Sequence, residues 1–166
     1  MDGFRIRRPA KAGRTKVVDL VEGLENSPAL HALWGSREKA VEAIRAAELL
    51  LVDDWGYMWV DDTDGCLCAS LPYWNEAPPH FIYLDLVHEL VHVKQFHEGL
   101  DLFDDRYKYV ARPTELEAYR VAVAEARRLK VMTEEELTDF LYVEWISKAD
   151  HAELCAACGV APPKGA

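Results

Sequence analysis

His88-Glu89-Leu90-Val91-His92 sets two imidazoles four residues apart with a carboxylate next to the first. On a helix, residues i and i+4 share a face, their Cβ atoms about 5–6 Å apart. One zinc ion can take both rings in that arrangement. Glu89 stands about 100° round the helix from His88, where it can serve as general base to a water that the metal activates. A blander use of the same residues is a buried helix whose histidines are hydrogen-bonded to core groups.

The flanks fit a helix. Phe81-Ile82-Tyr83-Leu84-Asp85-Leu86-Val87 leads into the motif, Val93-Lys94-Gln95-Phe96-His97-Glu98 leads out, and Gly99 is a stop signal. Leu84, Val87, Leu90, Val91, Val93 and Phe96 fall nearly all round it, the pattern of a central, buried helix. His88, His92 and Gln95 share one stripe, with Leu84 and Asp85 at its edges. His97 points about 180° from His88 and is not counted as a ligand.

Other elements must hold that helix in place. Residues 1–14 read as a flexible, locally basic segment, and 15–166 as one domain. Thr15 to Glu25 has helical spacing, broken at Asn26-Ser27-Pro28. Ser36 caps a helix expected to run from Arg37 to about Leu51. Tyr57 to Val60 and Cys66 to Leu71 read as a β-hairpin around the turn Asp61-Asp62-Thr63-Asp64-Gly65. Pro72 to Pro79 reads as a loop. Helices are expected from Thr114 to Lys130, from Thr133 to about Trp145 behind a capping box, and from Ser147 to Cys158. The fold class is α+β and mostly helical, with a small antiparallel sheet packed on the HExxH helix.

At 166 residues and 50% hydrophobic, the chain supports one sizeable core. A net charge of −10 argues against nucleic acid as a partner. No apolar run of about 18 residues and no secretory pattern is present, so no membrane partner and a cytoplasmic location are expected. The four cysteines, Cys66, Cys68, Cys155 and Cys158, pair as CxC and CxxC, which differs from the repeated CxxC of a structural zinc site.

The order strand, loop, HExxH helix, loop, helix opening with glutamate resembles the gluzincin metallopeptidases, most of all the small minigluzincin-like proteins. The likeness covers about Cys66 to Lys130. The family follows HExxH with E-x-x-[Ala/Ser]-[Asp/Asn], and this chain has Glu115-Leu116-Glu117-Ala118-Tyr119. The resemblance implies a zincin-like fold, zinc as cofactor with His88, His92 and Glu115 as ligands, Glu89 as the catalytic base, and a peptide or protein as substrate. Helix geometry agrees on the third ligand. Glu115 shares a stripe with Tyr119, Ala122 and Ala126, whereas Glu117 lies about 200° away and reads as the N3 partner of Thr114 in a capping box. Tyr119 departs from the family's acidic or amide residue, leaving a tyrosine hydroxyl or Asp85 to orient a histidine. The resemblance makes Cys66 to Leu71 the substrate-binding edge strand. Tyr107, Tyr109, Tyr142 and His151 are the candidates for stabilising an oxyanion. The alternative is a latent or non-catalytic zinc protein of the same fold, its cleft covered by the basic N-terminus or by Ser147 to Ala166.

Overall fold

The computed structural model describes residues 3–165. In chain order the elements are β1 (Arg5–Ile6), β2 (Gly13–Lys16), α1 (Val17–Leu20), β3 (Val21–Glu22), α2 (Pro28–Trp34), α3 (Arg37–Ala46), β4 (Glu48–Val52), β5 (Met58–Val60), β6 (Leu67–Ser70), α4 (Leu71–Glu76), α5 (Pro79–His97), α6 (Pro113–Leu129), α7 (Glu134–Phe140) and α8 (Lys148–Ala157). The architecture is α+β. Its main sheet is four-stranded and mixed, in the order β2-β4-β6-β5, and β1 pairs with β3 in a separate two-stranded ribbon. No helix among the described residues is long and apolar enough to cross a membrane.

The expected hairpin is present, with Met58 opposite Ala69 and Val60 opposite Leu67. Its turn is closed by Asp61 N–H to Cys66 O at 2.9 Å and Gly65 N–H to Asp61 O at 2.7 Å. The sheet is larger than the sequence implies because β4 was hidden. Leu49-Leu50-Leu51-Val52 continues the helical spacing of α3, yet the helix stops at Ala46 and these residues form a strand. Antiparallel pairing to β2 on one side and parallel pairing to β6 on the other outweigh local propensity. That pairing also corrects the edge assignment. Residues 67–70 lie inside the sheet, and β5 is the edge strand that packs against the helix Pro79–His97.

The N-terminal segment is not a loose tail over its described part; Met1 and Asp2 lie outside the described residues. Fully buried Trp74 sends its indole N–H to Arg7 O at 2.9 Å, and Asn75 Nδ2 donates to Pro9 O at 3.1 Å. The Arg8 guanidinium donates to Trp74 O and, at 2.7 Å, to Ala77 O. Burying an indole demands a partner for its N–H, and this segment supplies one. The helix expected from Thr15 to Glu25 is reduced to α1, because Gly23 turns the chain at φ +101° and Val21–Glu22 pairs with β1. Pro72 to Pro79 contains a helix, α4, since Ser70 caps Tyr73 N–H and Pro72 fits a first turn. The capping box of Thr133 and Glu136 forms, but α7 ends at Phe140 and leaves 141–147 irregular.

α5 is buried on most of its surface from Ile82 through Gln95, with Asp85, Glu89, Val93 and Lys94 partly exposed. It packs against α6 through Ala118, Ala122 and Ala126, all fully buried, and small side chains permit close approach. Farther along the same pair, Glu125 is fully buried and satisfied. It accepts from Ser27 Oγ at 2.9 Å, Tyr83 OH at 2.8 Å and the Arg128 fork at 2.6 and 3.0 Å, so its carboxylate clamps α2, α5 and α6 together.

Phe96, on the last turn of α5, lies over the hairpin turn at Gly65. Gly65 has φ +73°, and a Cβ there would sit 2.3 Å from Phe96 Cδ1. The missing side chain is what lets the hairpin and α5 touch. Gly65→Ala should therefore cost about 1–3 kcal/mol, the range for forced overpacking, read by urea denaturation. Unchanged stability would show that the turn does not need glycine.

Candidate metal centre

Helix α5 carries His88, Glu89 and His92, and the first turn of α6 carries Glu115. The two imidazoles and the carboxylate converge. His88 Nε2 and His92 Nε2 are 3.0 Å apart, and Glu115 Oε2 is 3.2 Å from the first and 3.4 Å from the second. Among the described residues this is the one group of three or more His, Cys, Asp or Glu side chains whose ligand atoms meet closely enough for a metal. Ligand atoms around a small four-coordinate cation with bonds of about 2 Å stand about 3.3 Å apart, so the triangle is already of the right size.

Its polar atoms also call for a cation. Glu115 Oε2 is buried and takes no hydrogen bond, although two ring nitrogens face it. His92 Nδ1 lies 2.7 Å from Gln95 Oε1. The amide of Gln95 is fixed in turn, because its Nε2 donates to Thr114 O at 3.0 Å and to Glu117 Oε2 at 2.7 Å. Gln95 therefore presents an acceptor to His92, which places the proton on Nδ1 and leaves the Nε2 lone pair for a metal.

The electrostatics agree. Burial opposes charge on His92, but the adjacent Glu115 carboxylate outweighs it and lifts the imidazole to about 9. Burial alone would raise Glu115, yet the two histidines hold it well below the usual carboxylate range. His88, more strongly desolvated, is lowered. The centre thus favours a positive charge on the imidazole side that balances Glu115, a place a metal ion can take over. Glu89 is partly buried, and burial pushes its carboxyl up to about 8, with the negative charges of Glu115 and Asp85 adding to the rise.

His88 and Glu89 open onto a cleft of about 380 Å³ whose walls include Tyr109, Tyr119, Phe140 and Trp145. Of the four oxyanion candidates, Tyr109 and Tyr142 line it, and Tyr107 and His151 do not. His151 is buried with Nε2 2.7 Å from Thr138 O. Tyr109 and Tyr119 share a hydrogen bond of 2.7 Å between hydroxyls. Neither Asp85 nor the Tyr119 hydroxyl hydrogen-bonds His88. Asp85 accepts from Tyr73 OH, Tyr119 packs its ring 4.4 Å from the imidazole, and His88 Nδ1 is buried without a partner.

The capping box expected at Thr114 and Glu117 does not form. Pro113 occupies the first turn and starts α6 one residue earlier, with Arg112 at the N-cap, and Thr114 Oγ1 has no partner. Glu117 is thereby free to hold Gln95. Gln95 and Glu117 are the functional residues that motif reading passes over. The signal was the shared stripe of His88, His92 and Gln95. Cys66 and Cys68 are free thiols with Sγ atoms 3.7 Å apart, and Cys155 and Cys158 are buried and free.

No family model, curated protein or solved structure matches this chain.

Glu115→Ala should nearly abolish binding of a divalent metal. Gln95→Ala should weaken it about 10–100-fold, the usual cost of removing a group that orients a ligand, and Glu117→Ala by less. Competition against a chromophoric chelator reads all three. A larger loss in the Glu117 variant than in the Glu115 variant would overturn the ligand assignment.

Proposed function

We propose that the protein is a zinc-dependent metallopeptidase of zincin-like architecture. One observation carries the reading: His88, one member of the His-His-Glu cluster, and Glu89 line the same cleft, with His92 and Glu115 directly behind His88. Two imidazoles and a carboxylate suit zinc, which when bound polarises a carbonyl and acidifies water.

The chain's own residues supply the rest. Glu89 takes the proton of the attacking water on its carboxylate and delivers it to the leaving amine. Positive charge at the centre favours the carboxylate that accepts the proton, and burial favours the acid that holds it until the second step. Tyr109 faces the cleft, and burial raises its pKa far enough that it remains a neutral donor, able to hydrogen-bond a developing oxyanion.

Substrate alignment falls to β5. Tyr57 O accepts from Ser70 N–H and Asp61 N–H donates to Cys66 O, both at 2.9 Å, so odd-numbered backbone groups face β6. Met58 and Val60 then turn theirs outward, where an extended peptide can add as a strand. Tyr57 and Met58 line the cleft, which joins that edge to Glu89. The latent alternative is less well supported, because neither the described N-terminal residues nor 147–165 line the cleft.

Glu89→Gln should retain metal and fold and reduce peptide hydrolysis by about 10²–10⁴, the contribution of a positioned base. A diverse peptide library with mass-spectrometric readout checks it. Activity within about tenfold of the unsubstituted chain would exclude Glu89 as the base. A fully zinc-loaded chain that cleaves nothing would overturn the peptidase reading.

A further inference from the structure

We infer that the cleft selects peptides carrying an arginine close to the bond to be cut. The inference rests on the peptidase reading for the word "cut", but its electrostatics stand on the cleft itself.

Four carboxylates line the cleft, Asp85, Glu89, Asp139 and Glu144, with no lysine or arginine. The other two cavities differ. One carries Arg37 and Arg45 among its acids, the other Arg14 and Lys94. Two of the four acids are already committed. Asp85 is held by the Tyr73 hydroxyl, and Glu89 lies beside the metal ligands. A dication in the centre would offset Glu115 and Glu89. The field at the mouth then comes from Asp139 and Glu144. Both are exposed, and neither takes part in an ion pair among the described residues. Lys164, which acts on Asp139 from a distance, is engaged by Glu135 at 2.7 Å.

The walls add a second criterion. Tyr57, Tyr142 and Trp145 line the same cleft and are 56%, 51% and 62% exposed. Aromatic faces beside unpaired carboxylates attract cations, and a planar guanidinium stacks on them better than an ammonium does. An acidic side chain would meet repulsion in the same place. Arginine is therefore favoured first, lysine second, and glutamate is rejected. Two rim charges and one stacking face together amount to about a tenfold preference for arginine over a neutral residue of similar length.

The test uses the full-length zinc-loaded Glu89→Gln chain, so that peptides bind without being consumed. Peptides identical except for Arg, Lys, Gln or Glu at one position are titrated by calorimetry. The Arg peptide should bind about tenfold more tightly than the Gln peptide, with Lys between them and Glu weakest. Adding Asp139→Asn and Glu144→Gln, both at exposed positions, should narrow the Arg-to-Gln ratio to about twofold, and so should raising the salt. Equal binding of the Arg and Glu peptides, a preference unmoved by the two rim substitutions, or no measurable binding of any of them overturns the inference. Cleavage by the unsubstituted chain separates the two readings. Hydrolysis without arginine preference removes this inference alone, whereas arginine-selective binding with no hydrolysis removes the peptidase reading and leaves the selectivity standing.

Discussion

Two imidazoles and a carboxylate held within 3.4 Å of one another, out of water, require positive charge between them. That requirement governs the contact between α5 and α6. The helices can bring the three atoms together only because Ala118, Ala122 and Ala126 leave no bulk in the way, and because Glu125 fastens the same pair farther along. Gln95 crosses the gap near the ligands, bonded to His92 on its own helix and to Thr114 and Glu117 on the other. The amide is at once a spacer between helices and the device that sets the His92 tautomer.

The parts of this arrangement that obey a local period were readable in advance. A four-residue step on one helix places His88 and His92 together whatever surrounds them, and a stripe of small residues marks the face of α6 on which Glu115 lies. The misreadings of the sheet and the N-terminus involve long-range partners, whereas α4 and the early start of α6 follow from local caps and prolines. Leu49 to Val52 carries a helical rhythm and becomes a strand only because β2 and β6 stand on either side. The family resemblance puts the edge at Cys66 to Leu71, but β4 gives that strand a second neighbour and passes the edge to β5. The N-terminal residues contain too little apolar surface to announce themselves, and are fixed by backbone carbonyls that satisfy Trp74, Asn75 and Arg8. Thr114 and Glu117 fit a capping pattern locally, but Pro113 begins the helix first and Gln95 claims the carboxylate.

The two histidines are also unequal in a way their motif conceals. His92 is oriented by a chain of three groups, whereas His88 Nδ1 is buried without a hydrogen bond and the ring is steered by packing against Tyr119. Tyr119 in turn reaches Tyr109, which opens onto the cleft. A single aromatic pair therefore connects His88 with the far wall of the cleft.

The strand order β2-β4-β6-β5 bears on how the molecule comes into being. β4 and β5 both precede β6 in the chain, yet they are not neighbours; the later strand fills the place between them. Without β6, β5 has no strand partner and β4 is paired on one side only. Insertion of β6 closes the sheet from its middle, and α4 and α5 follow directly from its last residue. The cleft's edge and the helix bearing both histidines are thus joined to β6, whose parallel pairing with β4 is non-local, the kind of contact that slows folding. Nascent chains halted ahead of it carry neither half of the site.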